Sequence, residues 1–269
     1  MKYYLYNPNA NNGIKPEVDA AELIDASQID YPEFFGKLAP DDEVVLIGGD
    51  GTINYLVNHI DTSSLANNIY ILANGTGNDF LKDIGEEPGK EVLLNPYLTN
   101  LPTVWVNDIE QKFINNMGFG IDGYCCEVAD QIKEKKPNQK INYTGIAIKG
   151  LLFHFKPCHA WITVDDEEYE FDHVWIAPTM KGRYYGGGMK MAPEQDRMSN
   201  QLSVVVYMSG SKLKALKNFP SIFEGTHIEK HDMVKVFTGR KIHVRFSRPC
   251  AAQIDGETVL NVTEYKVEL

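Results

Sequence analysis

The first hundred residues switch between two hydrophobic periods. Lys2–Tyr6 is a short, mostly apolar run that stops at the polar loop Asn7-Pro8-Asn9-Ala10-Asn11-Asn12-Gly13, and it reads as a strand. Pro16 then opens a helix whose apolar face is Val18, Ala21, Leu23 and Ile24. A second short helix is predicted over Tyr31–Leu38. Glu43–Ile47 is continuously apolar after its first residue, the pattern of a strand covered on both faces. From Thr52 the apolar residues Ile53, Leu56, Val57 and Ile60 recur at spacings of three and four, which predicts a helix. The strand Ile69–Ala73 follows, and then a helix through Phe80 and Leu81. Buried strands alternating with helices predict a parallel, doubly wound sheet.

Beyond residue 103 the period shortens to two. Thr103–Asn107, Lys112–Asn116, His159–Asp165, Glu168–Ile176, Leu202–Tyr207, Val234–Thr238, Lys241–Phe246 and Thr258–Val267 read as strands. Several of them, such as KIHVRF and EYEFDHVWI, alternate as antiparallel sheets with one wet face do. Helices are predicted near Tyr124–Lys135, Tyr143–Phe153 and Ser211–Phe223. The pattern divides the chain into an α/β domain over 1–103 and a mainly antiparallel β domain over 104–269.

At 269 residues, 43% hydrophobic and 23% charged, the chain has the balance of a globular protein with a full core. Its net charge of −11 is concentrated in residues 1–103, where 5 Lys and Arg stand against 16 Asp and Glu; residues 104–269 hold 21 of each. The acidic half excludes nucleic acid as a partner, and the neutral half is compatible with a lipid or an acidic substrate. Cys125, Cys126, Cys158 and Cys250 lack metal-site spacing and read as reduced thiols. Without a signal peptide or an unbroken apolar span, the expected location is the cytoplasm.

Candidate chemistry sits at the turns. In GGDGT, Gly48, Gly49 and Gly51 let the backbone approach an anion where a buried strand meets a helix. Asp50 would repel phosphates unless a magnesium ion lay between them; alternatively, it caps a helix. A second turn, NGTGND over residues 74–79, repeats the arrangement, and Thr76 and Asn78 offer neutral hydrogen bonds to phosphate or ribose. In a parallel sheet both turns and the loop Asn7–Gly13 emerge at the same edge. Neither turn fits the dinucleotide fingerprint or the P-loop. Finally, Asp255-Gly256 reads as a hairpin turn, and the next residue, Glu257, is a candidate general base.

The segments NPNANNG, GGDGTINYLVN, NGTGNDF, NNMGFGIDGY, YYGGGMKMAP and QIDGE, in this order, resemble the bacterial diacylglycerol kinases and related lipid kinases. This diacylglycerol-kinase catalytic domain family also contains sphingosine and ceramide kinases. The resemblance implies a doubly wound α/β domain carrying ATP, a C-terminal antiparallel β-sandwich domain facing the lipid, and an active site in the cleft between them. It implies that Asn7, Asn9, Gly48, Gly49, Gly51, Thr52, Asn54, Gly75 and Thr76 contact ATP. Asp50 would hold Mg2+ with Asp79 in support, and Glu257 would take the proton of the lipid hydroxyl. Asp122 matches the family's acidic residue of the cleft, and a helix cap is its other reading. Lys190 and Arg183 are solvated loop residues or phosphate contacts.

Four positions depart from the family pattern. Tyr55 stands where Glu is usual, Ala73 where Pro is usual, and Ala10-Asn11 where Ser-Gly is common. Met198-Ser199-Asn200 stands in place of an Asp-Asp-Gly run that contributes to a structural magnesium site, so no tight second magnesium is expected. The implied partners are a lipid with a free hydroxyl, such as diacylglycerol, and the inner membrane surface met peripherally and transiently; a homodimer is left open. Ile146–Phe155 and Leu213–Phe223, with Lys212, Lys214 and Lys217, are either membrane-facing or core helices. A kinase of a soluble hydroxyl compound, related to NAD kinase, and a non-catalytic ATP-binding module are the alternative readings.

Overall fold

The computed structural model describes residues 1–8, 23–74, 78–136, 139 and 141–269. It divides into two compact units, Met1–Leu101 and Pro102–Leu269. The helix predicted from Pro16 falls, up to Ala21, outside the described residues.

In the first unit, β1 (Lys2–Tyr6), β3 (Glu43–Gly48) and β4 (Asn68–Ala73) run parallel as neighbours. Val44–Ile47 are buried on both faces, which is why no alternation marks this strand. β2 (Leu23–Asp25) adds to the far side of β1, pairing Tyr4 with Leu23. Leu23 and Ile24 therefore belong to a strand and not to the predicted helical face; a three-residue strand carries too little periodicity to be seen without its partner. β5 (Glu91–Leu93) pairs antiparallel with β4, so the sheet is parallel only over its first four strands.

Helices α1 (Tyr31–Gly36), α2 (Asp50–His59), α3 (Asp79–Ile84) and α4 (Asn95–Leu98) connect or follow these strands. The start of α1 is fixed by Asp30, whose carboxylate accepts the Glu33 amide at 2.8 Å. A left-handed glycine, Gly85 at φ 78°, ends α3. Ile53, Leu56 and Val57 of α2 are buried as their spacing predicted.

The second unit is built on a ten-stranded sheet. Its strands are β6 (Thr103–Val106), β7 (Ile109–Lys112), β8 (Asn116–Phe119), β9 (Cys158–Val164), β10 (Glu167–Ile176), β11 (Thr179–Met180), β12 (Leu202–Met208), β13 (Val234–Gly239), β14 (Lys241–Ile254) and β15 (Glu257–Glu268). The fourteen-residue β14 pairs with β9 through its first half and with β8 through its second. A path from β8 through β11, β12, β10 and β9 returns to β14, so the sheet closes on itself. Phe119 stacks on Phe246 at 4.0 Å inside this closure. Tyr265 is buried beside them and donates its hydroxyl to the Ala177 carbonyl at 2.8 Å.

Three predicted elements differ. Residues 113–115 are not strand but join β7 to β8: the Phe113 amide turns to the Pro102 carbonyl, and those of Ile114 and Asn115 turn to a side chain described below. The predicted helix Tyr143–Phe153 is α6 (Tyr143–Lys149) followed by a wider turn over Gly150–His154. Ser211–Phe223 splits at Pro220 into α7 (Lys212–Asn218) and α8 (Ser221–Glu224). In these stretches Ile146, Ala147, Leu151, Phe155, Ala215 and Ile222 join the core, while Phe153 and Leu213 stay 73% and 74% exposed.

Helix α5 (Ile121–Lys135) lies against β14 at Gly123, where a Cβ would overlap the Ala251 carbonyl. Backbone cannot yield as a flexible side chain can. Gly123→Ala is therefore expected to cost about 3 kcal/mol, from overpacking against a fixed strand; urea unfolding of the two proteins measures it.

Candidate active site

The parallel strands of the first unit end side by side, so the residues following β1, β3 and β4 share one edge of the sheet. Asn7 leaves β1 with its amide donated to Ile47 and its side-chain amide 3.4 Å from the Thr52 hydroxyl. Thr52 is buried in the first turn of α2, directly over Gly48, where any Cβ would strike the Thr52 hydroxyl. Asn74 continues from β4 and donates its amide to the Gly48 carbonyl at 3.0 Å. Asn54 is buried, and its side-chain oxygen accepts from Asn58 at 3.3 Å. Asn9, Gly75 and Thr76 lie outside the described residues.

Asp50 is the first residue of α2, but the helix it caps is α3. Its carboxylate accepts the Asp79 amide at 2.9 Å and the Phe80 amide at 3.3 Å. One side chain thus joins the two glycine turns, and the negative charge sits at a helix N-terminus. Gly49 precedes it as the N-cap of α2 in an extended conformation. Among the described residues, nothing lies within 4 Å of where a Cβ of Gly51 would stand. Neither backbone strain nor internal packing asks for glycine there, although glycine weakens a helix by about 1 kcal/mol relative to alanine. What the glycine leaves is room beside the backbone of a helix start, suited to an approaching anion.

In the second unit Asp255 and Gly256 form the hairpin between β14 and β15, with φ of 47° and 95°. The Asp255 carboxylate accepts three successive amides, from Ile114 at 2.6 Å, Asn115 at 2.8 Å and Asn116 at 2.9 Å. Gly256 donates its amide to the Gln253 side chain at 2.7 Å. Glu257, the next residue, is exposed, and its carboxylate has no hydrogen bond or ion pair among the described residues. A carboxylate so placed on a doubly anchored turn is available to accept a proton.

Asp122 is in the first turn of α5, whose N-cap is Gly120, so it does not cap that helix. Its carboxylate accepts the Gly123 amide at 2.9 Å and faces the Gln253 side-chain amide at 3.5 Å. Burial pushes its carboxyl up to about 6, against the opposing pull of these two donors. Lys190 and Arg183 border the Tyr184 ring at 6.0 and 5.9 Å. The glycine run between them needs its glycines, since Gly186, Gly187 and Gly188 have φ of 62°, 81° and 106°.

Two cations of this region were not singled out by the sequence. Lys181 and Arg197 are only 2% and 6% exposed. Burial lowers the Lys181 amine to about 8, and the neighbouring guanidinium adds to the effect. Nothing in the spacing of two loop cations distinguishes them from solvated ones. Among the described residues no three His, Cys, Asp or Glu side chains gather to hold a metal. A magnesium ion carried with phosphates needs only one or two protein carboxylates, so Asp50 suits that mode. The turn at Ser199 does not suit a dedicated metal cage.

Residues 6–97 match the diacylglycerol kinase catalytic domain family, and residues 115–266 match the YegS C-terminal NAD kinase beta sandwich-like domain. A Mycobacterium tuberculosis protein named diacylglycerol kinase is 25% identical over 211 residues, which are 76% of this chain and 66% of that protein. The chain thus spans just under two thirds of that relative's length. A Bacillus subtilis protein, YtlR, provisionally named a lipid kinase, is 25% identical over 240 residues, 83% of this chain and 76% of its own. A crystal structure of a Bacillus anthracis protein, provisionally named a diacylglycerol kinase, superposes with a TM-score of 0.69 at 20% identity. That superposition covers 99% of this chain and 91% of the other.

Two expectations follow. Asp50→Ala removes the cap of α3 and should cost about 1 kcal/mol of stability in urea, whereas Asp50→Asn keeps an acceptor and most of that stability. For Asp122, the folded pKa lies above the unfolded one, so its stabilising effect is present below about pH 4 and is lost as pH rises through about 6. Asp122→Asn should therefore melt higher than the natural protein at neutral pH, and the gap should close on acidification to about pH 4.

Proposed function

Since the chain belongs to the bacterial diacylglycerol and lipid kinase family, we propose that it transfers the γ-phosphoryl group of ATP to a lipid hydroxyl, with Mg2+ bound to the nucleotide. The observation that carries the nucleotide half is Gly51, a helix-start glycine with open space beside it among the described residues. Gly48, Gly49 and Gly51 bring main chain close to the phosphates, and Asn7 and Thr52 add neutral donors and acceptors beside them. Asn9, Asn54, Gly75 and Thr76 belong to the same nucleotide set. Asp50 holds the metal, with Asp79 in support. When bound, the metal neutralises charge on the β- and γ-phosphates.

Glu257 takes the proton from the acceptor hydroxyl as that oxygen attacks the γ-phosphorus. Phosphoryl transfer asks the protein mostly to position groups and to balance charge, which suits one free carboxylate on a fixed turn. The lipid half of the reading is supported by the names of the relatives and by the surface of the second unit. Phe153 and Leu213 are exposed, and Lys212 links their segments by donating to the Leu152 carbonyl at 2.8 Å. Apolar side chains set among lysines suit transient contact with an anionic bilayer. Diacylglycerol heads the acceptors to be tried.

Radiolabelled ATP, offered with lipid micelles and with soluble alcohols, tests the reaction directly. Label in the organic phase supports a lipid kinase, and label in a soluble product moves the assignment to a kinase of soluble compounds. ATP binding without transfer to any acceptor would leave only a nucleotide-binding module. Glu257→Gln should bind ATP normally and lose roughly 100-fold to 10,000-fold in turnover, the usual worth of a general base. Unchanged turnover in that variant would remove Glu257 from the chemistry.

A further inference from the structure

Residues 114–116 of the second unit are gripped from two sides by opposite charges. Their amides point to the Asp255 carboxylate, which holds the hairpin carrying Glu257. Their carbonyl side meets cations. Arg197 donates one guanidinium nitrogen to the Ile114 carbonyl and another to the Asn115 side-chain oxygen at 2.7 Å. Lys181 and Gly182 donate their amides to the Asn115 carbonyl at 2.8 and 3.2 Å. The Lys181 ammonium then reaches across to the Ser199 carbonyl at 3.1 Å. The turn that receives it is closed by its own bonds, from the Ser199 hydroxyl to the Asp196 carbonyl at 2.8 Å and from the Met198 amide to the Asp196 carboxylate at 2.9 Å.

The family pattern implies a structural magnesium at this turn, held with the help of two adjacent carboxylates. The residues present do not fit one. Met198 and Ser199 replace the carboxylates, and Lys181 puts a positive charge at a carbonyl that could otherwise have faced a metal. A hard divalent ion requires oxygen ligands and is repelled by a buried ammonium beside them. A guanidinium or an ammonium, by contrast, can satisfy carbonyl oxygens and needs no metal. Removing Arg197 would strand buried oxygens that now have donors, and removing Lys181 would leave the half-buried Ser199 carbonyl without its ammonium.

We infer that Lys181 and Arg197 take over the role of a structural metal ion, and that they act as positioning residues for Glu257 through residues 114–116 and Asp255. The positioning half rests on the proposed role of Glu257; the metal half does not. Both cations are buried and donate to oxygens of the protein itself, so their effect is on where the carboxylate stands. A displacement of about 1 Å at a reacting group can cost on the order of 100-fold in rate. ATP contacts belong to the other unit and should be spared.

The thermal test uses nucleotide-free protein, melted in EDTA and in excess magnesium. The natural protein should melt at the same temperature in both. A chain with Lys181→Asn, Met198→Asp, Ser199→Asp and Asn200→Gly should melt higher with magnesium. A natural protein stabilised by magnesium, or a restored chain indifferent to it, overturns the replacement of metal by side chains. The kinetic test uses Arg197→Gln and Lys181→Gln, which keep donors and lose charge. Turnover should fall roughly 10-fold to 100-fold while KM for ATP stays within about twofold, and Arg197→Lys should recover part of the loss. Full turnover in both variants, or a KM for ATP that rises as turnover falls, overturns the positioning role. If Glu257→Gln is itself fully active, the positioning claim falls with the general base, and the thermal test still decides the metal claim.

Discussion

Asp50 forms no strand, yet its carboxylate determines how the first unit ends its sheet. It lies at the head of one helix and receives the first amides of another that begins 29 residues later. Two loops that leave neighbouring parallel strands are thereby tied together at their tips. The tie also divides the labour between the helix starts. The amides at the head of α3 are taken up by a protein carboxylate, while the head of α2, with its run of glycines, keeps an uncrowded side at Gly51.

The second unit achieves the same rigidity with opposite means. Its hairpin is short and strained toward positive φ, a conformation that asparagine, aspartate and glycine tolerate. What fixes it is not local. Asp255 reaches back about 140 residues in sequence to three amides, and Gln253 holds the following glycine while pointing its own amide at Asp122. Polar groups buried this way are costly to leave without partners, at about 1–3 kcal/mol each. The result is a specified geometry at the one exposed carboxylate of the turn.

Much of this was legible in the residues. The buried strands β3 and β4 announced themselves by apolar runs, and the helix at Asp50 by the spacing of Ile53, Leu56 and Val57. The hairpin at Asp255-Gly256 and the exposure of Glu257 follow from turn chemistry alone. The misses share a cause. Ile114 is apolar and β-favouring, but its amide is taken by a carboxylate far away in the chain. Leu23 and Ile24 look like the end of a helical face until β1 supplies a partner. Lys181 and Arg197 have the same letters as solvated loop residues, and only the packing of the sheet around them reveals that water is gone. Asp50 was read as a metal ligand or as the cap of a helix, and the helix whose amides it accepts begins 29 residues further along the chain. Pairings across long separations leave no periodic trace.

Gly51 illustrates a tension that any attempt to harden this protein would meet. By the usual criteria of foldedness the position invites alanine: the backbone is helical and a methyl group would disturb none of the described residues. An engineer selecting only for heat resistance would make that exchange early. The methyl group, however, would occupy the very volume that the loose helix start keeps vacant. The chain has accepted a slightly frailer scaffold in return for vacant volume, and a screen blind to ligands would trade that volume away.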